Sequence, residues 1–374
     1  MRRKIILLGP LPPPYGGVSV FTRALFESLR RRGAELWAYA GGARGERGVT
    51  RFNHRRLGFV PLLLRRGAGA RILDSTHFLV EHPNPLLVPL WLLLKLLLRF
   101  EWVKVVHDGS LPSRYKGFGT LRRMLCRAAV GSVDEFAVVS DELGAWLLGE
   151  MGVRRRVTTA NALLPIPPAV FDATLAPELG AKLARHARRV CSTGAFTPDY
   201  GFEHAAEAVE LLRRESGEEI GLLLIDGTFA RDDEYRERVL RGRDWIDVLE
   251  NVPHPQVLQV FKRCDAFVRG VRYEGYGLSR VEAVWCGAPV VAGRGGESRG
   301  IFIYDYGDVD ALAGYLRTAL FDPPREELRR WGEQFRREAE DNLLRWERLA
   351  GLGGDRDESD GRDESDESDE RAGD

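Results

Sequence analysis

Two glutamates flank a glycine-containing turn in the stretch RYEGYGLSRVEA, residues 272–283. Glu274 and Glu282 are eight positions apart, and Gly275 and Gly277 lie between them. An ionised carboxylate accepts several hydrogen bonds, which suits the vicinal hydroxyls of a ribose or a hexose. The free backbone amides at the start of a helix suit a diphosphate, because they have no partner within the helix and the helix dipole favours negative charge there. One short segment could therefore bind both the sugar and the phosphates of a ligand.

The residues around this turn predict the elements that would position both carboxylates. AFVRG reads as the end of a buried strand, VRYEGYG as the turn at its carboxyl edge, and LSRVEAVWC as a helix that ends at Gly287 and Pro289. Glu274 then lies in the loop and faces a cleft. Glu282 lies about one turn into the helix, where its apolar neighbours fill the buried side and leave the carboxylate toward the same opening.

A second candidate phosphate site follows the first strand. KIILLG reads as that strand, and Gly16 and Gly17 stand at the mouth of the following helix, where free amides could approach a phosphate. Taken alone, a glycine pair is weak evidence, and a tight turn is the alternative. Neither a GxGxxG fingerprint after a first strand nor a GxxxxGK[ST] loop is found, so dehydrogenase and nucleotide-hydrolase functions lose support.

Short apolar strands alternate with helical patterns in two consecutive series. This alternation predicts an α/β protein with two Rossmann-like, doubly wound parallel-sheet domains that face each other across a cleft, where ligands bind at the strand carboxyl ends. The predicted units are an N-terminal domain at 1–165, a proline-rich linker at 166–186, a C-terminal domain at 187–322, a helix at 323–352 that packs back on the N-terminal domain, and an acidic DESD-repeat tail at 353–374 that is disordered.

Charge is distributed unevenly along a chain whose formal net charge is zero. Residues 1–165 contain 26 basic and 12 acidic side chains. A basic half can attract nucleic acid, anionic lipid or a phosphorylated ligand, and ordinary solvated arginines are the simplest alternative. Nucleic-acid binding is least favoured, because no aromatic platform motif accompanies the basic residues. The four cysteines lack CxxC spacing, which argues against a disulfide framework or a zinc site and fits a reducing cytosol.

A leucine-rich run covers residues 86–98. It is too short to cross a bilayer, which needs about 20 residues, so we predict a helix that is either buried in the core or lies at a surface. Together with arginine clusters at 30–32, 55–56, 65–66 and 154–156, the run leaves a peripheral contact with an anionic membrane open. The amino terminus is a poor signal peptide, so we expect a cytoplasmic protein, with the inner face of the cell membrane as the alternative.

Two segments carry a resemblance to a known family. EGYGLSRVEAVWCGAPVVA resembles the E-x7-E segment of retaining family 4 glycosyltransferases, and ILLGPLPPPYGGVSVFTRALFESLRRRGAEL resembles their N-terminal glycine loop. The resemblance extends over residues 3 to 350 and includes VVHDGSLPSRY and AVVSDELGAWL. It implies the GT-B arrangement of two Rossmann-like domains.

The resemblance also implies roles for individual residues. Glu282 would accept the ribose hydroxyls, Glu274 would contact the hydroxyls of the donor sugar, and His107 would lie beside the transferred sugar. As a lone histidine at a strand end, His107 has a structural role as its alternative. Amides facing the sugar and the diphosphate are implied for Gly275, Tyr276, Gly277, Leu278, Gly16 and Gly17.

One segment departs from the family pattern. Many relatives have an arginine and a lysine where this chain has Phe196 and Tyr200 in TGAFTPDYGFEH. The departing phosphate needs cationic or amide help, because glycosyl transfer develops negative charge on it. We predict that Arg269 and Arg272 supply this charge. If they point elsewhere, the protein would be weakly active or a binding homologue.

The resemblance thus implies a retaining glycosyltransferase that uses a UDP- or GDP-linked sugar and a glycan or lipid-linked acceptor in cell-surface glycan, polysaccharide or glycolipid synthesis. We expect same-face substitution rather than a covalent intermediate. We expect neither a cofactor nor a metal, because no aspartate-x-aspartate motif lies in a suitable loop. A sugar-nucleotide epimerase and a non-catalytic nucleotide-sugar-binding protein are the alternatives. The base, the sugar, the acceptor, the linkage and the oligomeric state are left open.

Overall fold

The computed structural model describes residues 3–43, 45–54 and 57–352. The tail at 353–374, which the sequence predicts to be disordered, lies outside the described residues, as do residues 55–56 of one arginine cluster. The fold presented below is that of the described part of the chain.

A parallel sheet forms the centre of the N-terminal domain. Its strands in the described residues are β1 (Ile5–Gly9), β2 (Glu35–Ala38), β3 (Val49–Arg51), β4 (Arg71–Asp74), β5 (Glu101–Val106), β6 (Glu135–Val138) and β7 (Arg156–Thr159). Their order across the sheet is β3-β2-β1-β4-β5-β6-β7. Strand β1 is buried along its whole length because helices cover both faces of the sheet, which explains its unbroken apolar run.

A second parallel sheet forms the C-terminal domain. Its strands in the described residues are β8 (Arg188–Phe196), β9 (Ile220–Arg231), β10 (Ile246–Glu250), β11 (Ala266–Arg269), β12 (Val290–Gly293) and β13 (Ile301–Tyr304). Their order is β10-β9-β8-β11-β12-β13, so the strand order reverses beside β8 as it does beside β1. The predicted pair of doubly wound parallel-sheet domains is confirmed.

Helices connect the strands of both sheets. The α-helices of the described residues are α1 (Gly17–Leu29), α2 (Phe59–Arg66), α3 (Leu87–Leu98), α4 (Leu111–Lys116), α5 (Thr120–Ser132), α6 (Asp141–Gly149), α7 (Pro168–Phe171), α8 (Pro177–Leu183), α9 (Phe202–Ser216), α10 (Asp233–Leu240), α11 (His254–Phe261), α12 (Leu278–Trp285), α13 (Val309–Phe321) and α14 (Arg325–Leu349). Short helices α7 and α8 lie in the proline-rich segment between the two sheets.

The last helix, α14, contacts both domains. It packs on α12 of the C-terminal domain, while its second half reaches the N-terminal domain. There the Asn342 side chain donates to the Leu163 carbonyl at 2.6 Å, and the Trp346 indole donates to the Asn161 carbonyl at 2.9 Å. Trp346 also packs against Phe21 of α1, with ring centroids 4.9 Å apart. Helix α14 therefore links the two domains, and the exact domain boundaries stay a prediction.

Candidate active site in the interdomain cleft

A cavity of about 140 Å³ lies where the two domains meet. Loops after β1 form one wall, and the carboxyl ends of β8, β9 and β11 with the start of α12 form the other, as expected at the switch points of two doubly wound sheets. The predicted site residues that line it are Gly16, Gly17, Arg269, Glu274, Leu278 and Glu282. Residues from distant parts of the sequence thus converge on one small volume.

A larger cavity of about 660 Å³ adjoins the first one. It runs between α1 and the proline-rich segment that includes residues 164–168. The two cavities share five wall residues, so they form one continuous cleft: Tyr15, Val20, His254, Leu278 and Glu282. Glu282 lies at the junction between the two parts.

Glu274 is held by two arginines. The Arg269 Nε donates to the Oε2 of Glu274 at 2.8 Å, and the Nη2 of Arg280 lies 3.7 Å from the same oxygen. Burial would raise the pKa of Glu274, but the two guanidinium charges hold it below its ordinary value. Glu274 is therefore ionised at neutral pH, and within the described residues only its Oε2 has a cationic partner.

Glu282 has a histidine partner instead. Its Oε1 lies 2.7 Å from the Nε2 of His254, the first residue of α11. Burial alone would lower the pKa of His254, but the Glu282 carboxylate raises it overall. His254 also lines the cavity, and sequence reasoning missed it. No sequence signal indicated it, because the contact depends on how the consecutive helices α11 and α12 pack together.

The two arginines predicted to replace the missing cations lie in different places. Arg269 lines the cavity, donates to the Thr193 carbonyl at 2.6 Å and lies over the ring of Tyr200. Arg272 is exposed, stacks over Tyr273 and Tyr306, and is absent from the cavity wall. The structure therefore brings only Arg269 to the cavity.

Arg280 is a buried cation that sequence reasoning missed. Its Nη1 donates to the carbonyls of Gly293, Gly295 and Glu297, which ties α12 to the loop after β12. Its Nε and Nη2 have no hydrogen-bond partner within the described residues. Burial lowers the pKa of Arg280 despite the Glu274 charge beside it. Two guanidinium groups thus surround a single carboxylate, which leaves a surplus of positive charge beside the cavity.

The glycine elbow packs tightly against the other domain. A Cβ on Gly275 would lie 2.2 Å from the His107 carbonyl oxygen, and a Cβ on Gly109 would lie 2.4 Å from the Glu274 carbonyl carbon. Gly277 has a φ of +83°, which favours glycine. Gly275, Tyr276 and Gly277 are buried and do not line the cavity, so Leu278 is the one of these four predicted residues that does.

His107 lies close to the elbow, but its imidazole is outside the cavity wall. The ring packs on Phe21 at 4.9 Å between centroids, and its Nε2 lies 3.4 Å from the Ser75 Oγ. Burial, with a contribution from the Lys104 charge, lowers the pKa of His107 well below its ordinary value, so the ring is neutral. The neighbouring Asp108 accepts the Ser110 amide at 2.8 Å, which is a turn-forming contact.

Gly16 and Gly17 lie at the start of α1, as predicted. A Cβ on Gly17 would meet no atom of the described part of the chain within 4 Å. A Cβ on Gly16 would lie 3.4 Å from the Phe229 ring, and one on Gly227 would lie 2.0 Å from the Tyr15 carbonyl oxygen. The extended end of β9 therefore touches the glycine loop of the other domain.

The described residues contain neither a metal-ligand cluster nor a membrane-spanning helix. No three His, Cys, Asp or Glu side chains within them are grouped as a metal site would require. None of the described helices combines the length and the apolar character that crossing a membrane requires.

The sequence of the C-terminal domain matches a known family. Residues 182–338 match the family described as glycosyl transferases group 1. A curated relative, the O-antigen chain mannosyltransferase B of Escherichia coli, is 29% identical over 136 residues. That alignment covers 34% of this chain and 36% of the relative, so the chain spans about a third of the length of this relative. Both matches are to glycosyltransferases, and the family match lies on the domain that carries both glutamates.

Solved structures resemble the whole described chain. The sucrose-phosphate synthase of Thermosynechococcus elongatus is 18% identical with a TM-score of 0.67, and the alignment covers 93% of this chain and 96% of that one. HepE of Anabaena, solved in complex with UDP-glucose, is 15% identical with a TM-score of 0.70 over 92% of this chain and 98% of that one. At such identities the likeness establishes the fold alone, and the predicted GT-B fold is confirmed.

Proposed function

We propose, from the group 1 glycosyl transferase domain and the GT-B fold, that this protein is a retaining glycosyltransferase that moves a sugar from a nucleoside diphosphate to a hydroxyl acceptor. One observation carries the proposal. Glu274 and Glu282 of the C-terminal domain line the same cavity as Gly16 and Gly17 of the N-terminal domain. This arrangement offers hydroxyl acceptors and phosphate-binding amides to a single ligand.

The proposed donor spans the cleft. His254 occupies one oxygen of Glu282, so Oε2 of that carboxylate would accept the ribose hydroxyls. Arg269 and Arg280 hold Oε2 of Glu274, so its Oε1 would accept a hydroxyl of the transferred sugar. The diphosphate would face the amides at the starts of α1 and α12, where both helix dipoles favour negative charge.

The chemical step needs stabilisation of the departing diphosphate. Arg269 lines the cavity and takes this role in our proposal, while Arg272 does not reach the cavity. The acceptor oxygen would attack the face that the leaving group vacates, and a phosphate oxygen would take its proton, so no protein nucleophile is required. The close contact of Gly109 and Gly275 across the cleft would exclude water and limit donor hydrolysis.

The proposed contact between His107 and the transferred sugar requires the imidazole to move. Its imidazole now packs on Phe21 and Ser75. The ring must therefore change rotamer when the donor binds if it is to contact the sugar. A neutral ring suits hydrogen bonding to a sugar hydroxyl, because one nitrogen donates and the other accepts.

The substrates and the setting are finer proposals. We propose a UDP- or GDP-linked donor and a glycan or lipid-linked acceptor, and the O-antigen mannosyltransferase supports a place in polysaccharide synthesis. A cytoplasmic location and independence from a metal are further proposals, and the latter predicts unchanged transfer after treatment with EDTA. The proposed contact with an anionic membrane rests on a different surface, formed by α2, α3 and α5.

A thermal-shift screen of nucleoside diphosphates tests the proposal. A specific nucleotide should raise Tm because it binds only the folded protein, and transfer should follow when its sugar conjugate and a glycan acceptor are added. If no nucleoside diphosphate shifted Tm, the proposal would be wrong. A new sugar nucleotide formed from the donor alone would indicate an epimerase, and binding without any turnover across an acceptor panel would indicate a binding protein.

A further inference from the structure

Three neighbouring helices form one surface of the N-terminal domain. Helix α3 packs between α2 and α5, and we call the outward side of these helices the three-helix face. Helix α1 connects β1 to β2, whereas α3 and α5 lie in the connections from β4 to β5 and from β5 to β6, which cross the sheet in the opposite direction. Since such crossovers are right-handed, α3 and α5 lie on the side of the sheet opposite α1. The three-helix face is therefore separate from the cleft wall formed by α1.

Helix α3 is apolar on both of its sides. Its inward side packs on the domain core through Leu87, Val88, Trp91 and Leu94. Its outward side is apolar too, with Leu96 exposed to 75% and Leu97 to 65%. The remaining exposed apolar residues of the three-helix face are Leu64, Leu86, Leu93, Leu121 and Met124. A surface helix of a globular protein normally has polar residues on its outward side. An exposed apolar side such as this one indicates an interaction surface.

All charged residues of these three helices are basic. The sequences of α2, α3 and α5 contain no aspartate or glutamate. Two of their cations have acidic partners from other elements: Lys95 pairs with Asp134 at 2.9 Å, and Arg66 lies 3.3 Å from Glu35. Within the described residues, no carboxylate lies within ion-pair distance of the other cations on these helices, which are Arg65, Arg122, Arg123 and Arg127.

We propose that the three-helix face docks on an anionic lipid bilayer. Its leucines would enter the interface between headgroups and acyl chains, while its arginines would contact anionic headgroups, as in helices that lie in the plane of a membrane. A symmetric pair of chains is a poorer occupant, because such a pair would bring two cationic surfaces together without a carboxylate from any of the six helices. Charge complementarity therefore favours lipid.

The position of this surface is suited to a substrate carried in the membrane. Leu86 and Leu121 stand at the starts of α3 and α5, and these starts lie at the carboxyl edge of the sheet, where His107 follows β5. A cavity of about 520 Å³ opens between the same helix starts, and Arg114 and Arg122 line it. A phosphorylated headgroup would find the guanidinium of Arg122 there, beside that of Arg114, which already pairs with Asp108 at 2.7 Å.

Vesicle sedimentation tests the proposal and does not depend on catalysis. The whole chain should bind vesicles with about one anionic lipid in four, and binding should weaken severalfold between about 0.05 M and about 0.5 M salt. Arg122→Glu combined with Arg123→Glu should weaken the vesicle affinity by at least about tenfold, since each basic residue near an anionic surface contributes about 1 kcal/mol. Leu96→Gln with Leu97→Gln should weaken it to a similar extent.

Matched controls come from the exposed side of α14. Leu344→Gln with Arg345→Glu changes the same residue types on a helix outside the three-helix face and should leave vesicle binding unchanged. Thermal melts would show that every variant is folded. The proposal is overturned if folded wild-type protein stays in the supernatant at low salt, or if it sediments equally with neutral vesicles. It is also overturned if light scattering shows a dimer that the leucine variant dissociates. Nucleotide binding is measured separately, so failure here leaves the proposed donor site untouched.

Discussion

The two cavity glutamates lie in opposite electrostatic settings. Glu274 is surrounded by Arg269 and Arg280, so its region has surplus positive charge and its carboxylate is held in one orientation. Glu282 has one titratable partner, His254, and lies at the junction of the two parts of the cleft. The difference suggests separate roles for the two glutamates. The rigid, cation-rich region suits the step in which charge develops, and the junction suits binding of the nucleotide.

The largest effect is expected from Glu274→Gln. We predict a fall in kcat of roughly 10²- to 10³-fold, because the amide leaves the two arginines without their counter-charge and loses an acceptor at the sugar. The dissociation constant for the nucleoside diphosphate should stay within about threefold, as the nucleotide lies mainly at Glu282. Kinetics and calorimetry measure the two quantities. If Glu274→Gln left kcat unchanged and weakened nucleotide binding, Glu274 would act in binding and the proposed roles of the two glutamates would be wrong.

Glu282→Gln should give the complementary pattern. We expect the nucleoside diphosphate to bind roughly 10- to 100-fold more weakly, because hydrogen bonds to a charged acceptor contribute about 1.5–3 kcal/mol. The value of kcat at saturating donor should fall much less. Isothermal titration calorimetry checks the prediction, with Glu333→Gln on the exposed side of α14 as the control. If wild type and Glu282→Gln bound the nucleoside diphosphate with equal affinity, Glu282 would not contact the ribose.

The glycine loops offer a matched pair of substitutions. Gly275→Ala places a methyl group 2.2 Å from the His107 carbonyl oxygen, so the two domains must shift apart. Gly17→Ala adds the same group where no atom of the described residues lies within 4 Å. We expect Tm to fall by about 5 °C or more for the first and by less than about 2 °C for the second. Equal shifts in a thermal melt would mean that the elbow does not hold the domains together.

The smallest effect is the pH dependence of the His254–Glu282 pair. The pKa of His254 is higher in the folded protein than the ordinary histidine value of about 6.5. The pair therefore stabilises the fold fully at pH values below about 6.5, and this stabilisation is lost as the pH rises through the raised pKa. The gap in Tm between wild type and His254→Gln should therefore narrow from acidic to alkaline pH. Glu274, with its lowered pKa, should lose its contribution only on acidification. A gap for His254→Gln that widens with pH would contradict this account.

Local patterns in the sequence predicted much of the fold. Buried runs such as KIILLG and the alternation of strands with helices predicted two parallel sheets, because each pattern depends on neighbours in the chain. The start of α6 has a similar local origin, because Ser140 precedes it and its Oγ accepts the Leu143 amide at 3.4 Å. The turn between β11 and α12 also followed from local glycine and helix signals.

The side chains around the two carboxylates were harder to predict. Arg272 is closer to Glu274 in sequence than Arg269 is, yet it points to the surface and stacks on Tyr306. Arg280 lies in a short helix and is buried by the loop after β12, which local periodicity does not reveal. His254 meets Glu282 through the packing of two helices. Such contacts depend on tertiary structure, and a single sequence contains no direct record of them.

The most direct test of the central claim is a crystal structure of the protein with a bound nucleoside diphosphate. The account predicts a ribose hydroxyl within hydrogen-bond distance of the Glu282 Oε2, with the diphosphate against the amide of Gly17 and the guanidinium of Arg269. A nucleotide bound elsewhere, with Glu282 still in contact only with His254, would contradict it.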